Sequence, residues 1–298
     1  MWKLGLFLWA VFLGAEMPDL QLLWQQEIEH AEIAPKRLKN KHVLFVSGML
    51  NEIIAPVSGY FLDSREAVEQ DLGGESSHFG PSSQNSISEN ARILYEHFLE
   101  IQANKPRSFI LIGHSKGAAV ILCMILQHPE LILERSIDQV ILIQAAIQGS
   151  AAANDPSRWL RNSYAYIRDW VGLETESLSE TGSKALFNKL FEEYEALLEN
   201  QDKQFISNKI FYVRSAEVPE KRSYSVELVL EITQHKPDPS IPNDGLIASH
   251  AQLDSRIGID LGVIQADHLS LVIPWVTALS KHERRALMRA IFKLGVLL

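Results

Sequence analysis

Five consecutive residues in this chain have the types and spacing of a nucleophile turn. Gly113-His114-Ser115-Lys116-Gly117 fits G-x-S-x-G. The bare pattern is weak, and its context carries the weight, because the turn needs a strand before it and a helix after it. Phe109-Ile110-Leu111-Ile112 runs into it as an apolar strand, and Ala118-Ala119-Val120-Ile121-Leu122 leaves it as an apolar helix. A serine on so tight a turn has strained backbone angles. Positions two before and two after it come too close to neighbouring atoms for a side chain, hence Gly113 and Gly117. The turn holds the Ser115 hydroxyl clear of the sheet and puts the Lys116 backbone N–H at a helix start, where it can donate to an oxyanion. A second donor is expected from the loop after an earlier strand. Val43-Leu44-Phe45-Val46 followed by Ser47-Gly48-Met49 supplies such a loop, and the Met49 N–H is the candidate. The competing readings are structural: a glycine turn with an idle serine, and an ordinary turn hinged at Gly48.

A serine hydroxyl becomes a useful nucleophile when a histidine takes its proton and an acid fixes that histidine. In the fold that carries such a strand–serine–helix turn the chain order is serine, acid, histidine. That order leaves His128, His235, His250, His268 and His282 as bases. His268 follows the last apolar strand, Ile257 to Ile264, after a short link, so its loop can reach over the strand ends; His250 is the runner-up. Asp244 in Pro242-Asn243-Asp244-Gly245-Leu246 is the preferred acid, on a proline-bounded loop with a glycine for a sharp turn. Its structural alternative is an Asx-turn acceptor. Asp238, Asp254, Glu217 and Asp267 compete, and Asp267 adjoins His268 and would point elsewhere.

The elements that must position these groups alternate. His42 to Ser47, Ser108 to Ile112, Val140 to Ile143, Lys209 to Arg214 and Ile257 to Ile264 read as strands, with a further candidate at residues 225–232. Helices are expected within residues 18–41, at 60–70, from Glu89 to Ala103, from Lys116 to Gln127 and over 270–294. Residues 72–88, rich in Gly and Ser, and the proline-rich 235–245 read as loop. Strands alternating with helices predict an α/β fold, a mostly parallel central sheet with helices on both faces. Residues 157–200 read as a helical insertion in two pieces. Trp159, Tyr166 and Trp170 recur there at near-helical spacing and are the candidate substrate-binding residues of a lid; the alternative is plain core.

Composition narrows the partners. With 28 basic and 37 acidic residues, a net charge of −9, the chain lacks the basic surface that nucleic acid requires. Cys123 is the single cysteine, so no intramolecular disulfide forms, and its apolar surroundings predict a buried thiol. Met1-Trp2-Lys3, the apolar run Leu4 to Leu13 and Gly14-Ala15 describe a signal peptide over residues 1–15, which predicts export to the periplasm or the medium. Leu13 stands where a small residue is preferred before such a cut. The alternative is a helix covering a cytoplasmic domain. Residues 16–298 are then one domain.

Five short stretches together resemble the bacterial lipases and esterases of the α/β-hydrolase superfamily. They are Phe45 to Met49, Gly113 to Gly117, Ile147-Gln148-Gly149-Ser150, Asn243 to Leu246 and Asp267-His268-Leu269. The resemblance spans residues 42–270 and implies an α/β-hydrolase fold, Asp244 as catalytic acid and His268 as base. Two departures stand out. Ser47-Gly48 replaces the usual His-Gly of the oxyanion loop, and Leu269-Ser270 follow His268 where such lipases often place a calcium-binding aspartate, so no calcium site is carried over.

The expected chemistry is hydrolysis of a carboxylic ester with a partly apolar acyl group through Ser115, His268 and Asp244. No metal or organic cofactor is called for. A small-molecule or lipid ester is the expected partner, and a lipid would bring membrane-surface contact. Thioester or amide deacylation, and a binding protein that kept the fold without catalysis, are the alternatives. Oligomeric state is not legible.

Overall fold

The computed structural model describes residues 19–30, 38–49, 51–52, 59–104, 108–154, 174–218, 222–233, 235–274 and 278–295. Its centre is a parallel sheet of β1 (Lys41–Val46), β2 (Glu75–Phe79), β3 (Ser108–His114), β4 (Ile137–Ile143), β5 (Ile210–Ala216) and β6 (Ile259–Gln265). Their order across the sheet is β2-β1-β3-β4-β5-β6. The middle strands are continuous apolar runs because both sheet faces are covered. Side chains alternate between the faces. Leu44 and Val46 of β1, Phe109 and Leu111 of β3 and Val140 and Leu142 of β4 enter one core. Val43 and Phe45, Ile110 and Ile112, and Ile141 and Ile143 enter the other.

Helices α1 (Leu20–Glu29), α2 (Leu62–Glu66), α3 (Ile87–Asn104), α4 (Lys116–Gln127), α5 (Glu180–Leu197), α6 (Asn200–Ser207), α7 (Tyr224–Thr233) and α8 (Lys281–Gly295) divide between these faces. On the first, α4 is buried from Lys116 to Leu126, apolar all round because α3 and α5 flank it. Cys123 lies within it, and burial pushes its thiol up to about 12. On the second face Leu20 and Trp24 of α1, Val226 of α7 and Ala286 and Ile291 of α8 close the core. Trp24 Nε1–H donates to the Glu283 carbonyl (2.8 Å), and Arg289 Nε donates to Glu27 Oε2 (3.0 Å), clasping α8 to α1. Gln21 Oε1 accepts the Gln265 N–H at the outer side of β6 (2.8 Å).

Four expectations need correction. Residues 72–88 contain β2, a polar edge strand, Glu-Ser-Ser-His-Phe, that pairs with β1 alone and so carries no apolar run. Residues 225–232 are helix, not strand. Val226 and Leu230 are buried at helical spacing while Tyr224 and Leu228 are exposed, and the apolar content hid that periodicity. The last helix begins at Lys281, not at 270. Ser280 and Glu283 form a reciprocal cap there, with Ser280 N–H donating to Glu283 Oε2 (2.6 Å) and Glu283 N–H to Ser280 Oγ (3.2 Å). Of the helical insertion, α5 is packed core and not a cover, burying Phe187, Leu190, Phe191 and Tyr194. Its start is capped by Ser179 Oγ, which accepts the Gly182 N–H (3.0 Å). Trp159, Tyr166 and Trp170, and the expected leader at residues 1–15, lie outside the described residues.

Candidate active site

Strand order makes the site. β1 leads to β2 on one side and β3 leads to β4 on the other, so the loops leaving the carboxyl ends of adjacent β1 and β3 diverge and open a crevice. Ser115 and the Ser47–Met49 loop sit there. Ser115 has φ 54° and ψ −123°, the strained geometry expected of the turn. A Cβ at Gly113 would stand 2.6 Å from Ala118 Cα, and one at Gly117 would stand 2.2 Å from the Ser47 carbonyl oxygen. Both glycines are therefore steric requirements. Lys116 opens α4, so its N–H belongs to the first-turn amides that lack an intrahelical acceptor.

His268 and Asp244 meet Ser115. His268 Nε2 lies 2.9 Å from Ser115 Oγ, and His268 Nδ1 lies 2.8 Å from Asp244 Oδ2. With a carboxylate facing Nδ1, the ring proton sits there, and Nε2 is left to accept the Ser115 O–H. Asp244 is fully buried. Its Oδ1 accepts the Leu246 and Ile247 N–H groups (3.0 and 2.8 Å), and its Oδ2 also accepts Gln252 Nε2–H (3.0 Å). Gly245 takes φ +98° to turn those amides back onto the carboxylate. The backbone joins the pair as well, through His268 N–H to the Asp244 carbonyl (2.8 Å).

The competing candidates are occupied elsewhere. His250 is exposed on a 3₁₀ turn. Asp254 is paired with Arg256 (2.6 Å) and Glu217 with Arg222 (2.8 Å), while Asp238 accepts Ser240 Oγ–H (2.7 Å). Asp267 points away from the His268 ring, accepting the Ser223, Leu269 and Ser270 N–H groups at 2.8–3.0 Å.

Several supports had no sequence signal. Ser47 Oγ donates to Asn51 Oδ1 (2.9 Å) and lies 2.5 Å from His78 Nε2, which is how the Ser47–Met49 loop is held. Burial, aided by Arg65, pulls His78 down to about 4, so it is neutral near pH 7. The Lys116 side chain is buried beneath the 82–85 loop, donating to the carbonyls of Asn85 (2.6 Å), Ser82 (3.3 Å) and Ser83 (3.5 Å). Burial draws its amine down to about 8 against the opposing pull of Glu174 and Glu52. Gln252, Tyr60, His114 and Gln144 likewise pack under the site. A cavity of about 80 Å³ opens over Ser115 and His268. Met49, Ala146, Ala153, Leu178, Val229 and Ile247 contribute to its mostly apolar wall.

Among solved structures, the chain is similar to a metagenomic carboxyl esterase, MGS0156, with a TM-score of 0.64 and 23% identity over 86% of this chain and 76% of that one. It is also similar to the mature lipase BlEst2 of Bacillus licheniformis, with a TM-score of 0.57 and 15% identity over 88% of this chain and 93% of that one. The fold is that of the α/β hydrolases. No family model and no curated protein matches the sequence. In this fold the Ser115 turn, the Asp244 loop and the His268 loop follow β3, β5 and β6 in the expected order.

Proposed function

We propose that this α/β hydrolase cleaves carboxylic esters, with Ser115 as nucleophile, His268 as general base and Asp244 as its acid partner. The observation that carries the reading is the unbroken series Ser115 Oγ–His268–Asp244, at 2.9 and 2.8 Å, ending on a buried carboxylate whose other contacts are donors that orient it. Ser115 Oγ attacks the ester carbonyl as His268 Nε2 takes its proton, and the backbone N–H groups of Met49 and Lys116 receive the oxyanion. Collapse expels the alcohol, protonated by His268. Water then attacks the acyl-enzyme with His268 again as base, and the free acid leaves. Asp244 keeps the imidazole in the useful tautomer and stabilises the imidazolium.

The described wall of the cavity includes no Asp, Glu, Lys or Arg, which favours a neutral, apolar acyl group. The two similar structures, a carboxyl esterase and a lipase, agree with an ester substrate. Fluorophosphonate labelling and a nitrophenyl ester series of increasing chain length test the proposal. The wild type is labelled and turns over, whereas Ser115→Ala loses labelling and at least about 10⁴-fold in kcat. A Ser115→Ala protein as fast as wild type refutes it, and thioester and amide panels fix the bond cleaved.

A further inference from the structure

Resting on that reading of Ser115, we propose that Tyr60 is a positioning residue for ester hydrolysis. Its hydroxyl, acting through His114 and backed by Gln144, braces the oxyanion loop against the loop that carries His268.

The direction of every hydrogen bond in this brace follows from its ends. His114 Nε2 lies 2.8 Å from the His268 carbonyl oxygen and 2.9 Å from Gln144 Oε1. The Gln144 amide is oriented by its own partner, since its Nε2 lies 2.9 Å from the Asp267 carbonyl, which can only accept. A ring nitrogen facing two oxygen acceptors must carry hydrogen. Burial, reinforced by His268, holds the His114 imidazole well below the usual histidine range, so the ring is neutral and Nδ1 is bare. Tyr60 O–H therefore donates to His114 Nδ1 (2.6 Å), and the same oxygen accepts the Gly48 N–H (3.0 Å). Donation runs one way, from Gly48 N–H to Tyr60 O–H to His114 Nε2–H to the His268 carbonyl.

Both ends of this series matter to Ser115. Gly48 directly precedes Met49, and its amide is committed to Tyr60, which leaves the Met49 N–H as the loop's donor to the cavity. A Cβ at Gly48 would stand 2.8 Å from the Tyr60 hydroxyl oxygen and 3.0 Å from Ser115 Cβ, so the loop is seated on both residues. The far end is the backbone of the proposed base itself. Gln144 holds φ 48°, an uncommon backbone for a non-glycine residue, and its side chain ties both Asp267 and His114 to the end of β4. Tyr60, His114 and Gln144 are all buried, which keeps bulk water away and strengthens these bonds.

A loosened brace misplaces a donor that matters more to an oxyanion than to a neutral carbonyl, so its loss falls on kcat rather than KM. Tyr60→Phe removes the O–H and keeps the ring. The expected result is a fall of roughly 10- to 100-fold in kcat for nitrophenyl esters with KM changed less than about twofold. Affinity for an alkyl boronic acid, which forms a tetrahedral adduct on serine, falls in parallel with kcat/KM, while inhibition by the product alcohol does not. A kcat within about twofold of wild type, or boronate affinity that does not follow kcat/KM, overturns the proposal. A merely structural hydroxyl would lower the melting temperature without that correlation. Should Tyr60→Phe fail to fold, ¹⁵N spectra of histidine-labelled wild type decide. A neutral His114 protonated at Nε2 supports the brace, and a charged or Nδ1-protonated ring overturns it. An unlabelled wild type would instead defeat Ser115 as nucleophile, whereas a labelled wild type with a fully active Tyr60→Phe defeats the brace alone.

Discussion

The serine turn and the acid–imidazole limb meet within one hydrogen bond, yet they are built by different physics. The turn is steric and local. Gly113 and Gly117 flank Ser115 within five residues, and backbone atoms of Ala118, Ser47 and Val46 fill the space where side chains would be. The limb is polar and non-local, with Asp244 lying 24 residues from His268 and Ser115 lying 153 residues from it. Hydrogen-bond donors hold the carboxylate, two of them backbone amides (Leu246 and Ile247) and one a side-chain amide (Gln252), rather than steric exclusion. Steric construction fails abruptly because backbone cannot yield. Polar construction fails by degrees, since each lost hydrogen bond removes a part.

The sharpest way to break this contrast is Gly117→Ala. In an ordinary helix that change stabilises. Here the methyl group would meet the Ser47 carbonyl oxygen at 2.2 Å. Calorimetry should show a loss of at least about 3 kcal/mol, on the order of 10 °C in a domain this size, with activity gone. A raised melting temperature would end the steric account. Gln252→Leu tests the polar side. It removes one donor from Asp244 and leaves Ser215 N–H without the Gln252 Oε1 it now reaches at 2.7 Å. Ester kinetics should show about a tenfold fall in kcat/KM, matching a bond of about 1–3 kcal/mol, in a protein that still folds.

Mild acid gives the smallest effect. His78, against Ser47, has a folded pKa of about 4 against 6.5 for the free side chain, and His114 is lowered too. The unfolded chain then binds more protons, so stability is full above pH 6.5 and falls as pH drops towards 4. For His78 the loss at pH 5 is about 1 kcal/mol once its partial exposure is allowed for. Melting curves of wild type and His78→Gln at pH 7 and pH 5 should differ by that amount, and parallel curves would remove the imidazole from the account.

What was legible in the sequence follows the same division. The elbow could be read because its sterics demand glycine at fixed spacing, and β1, β3 and β4 because burial on both faces demands apolar runs. That Asp244 and His268 lie together beside Ser115 could be anticipated because the chain order of such a fold restricts where an acid and an imidazole reach the turn. The edge strand β2 was invisible, being polar and half-buried. Tyr60, Gln144 and Gln252 were invisible for a different reason. A buried glutamine or tyrosine with partners far along the chain has the same letter as a solvated one, and only the assembled fold supplies the carbonyl or amide that gives it work. The Lys116 side chain is the clearest instance, read as a backbone donor and found also to be a buried anchor for the 82–85 loop.

Helix α1 lies along β6, and Gln21 occupies an amide there that would otherwise face outward. Among the described residues this leaves β2 as the sheet's open margin, a serine-bearing strand running only from Glu75 to Phe79. Such a strand offers another copy's strand no long apolar ribbon on which to pair.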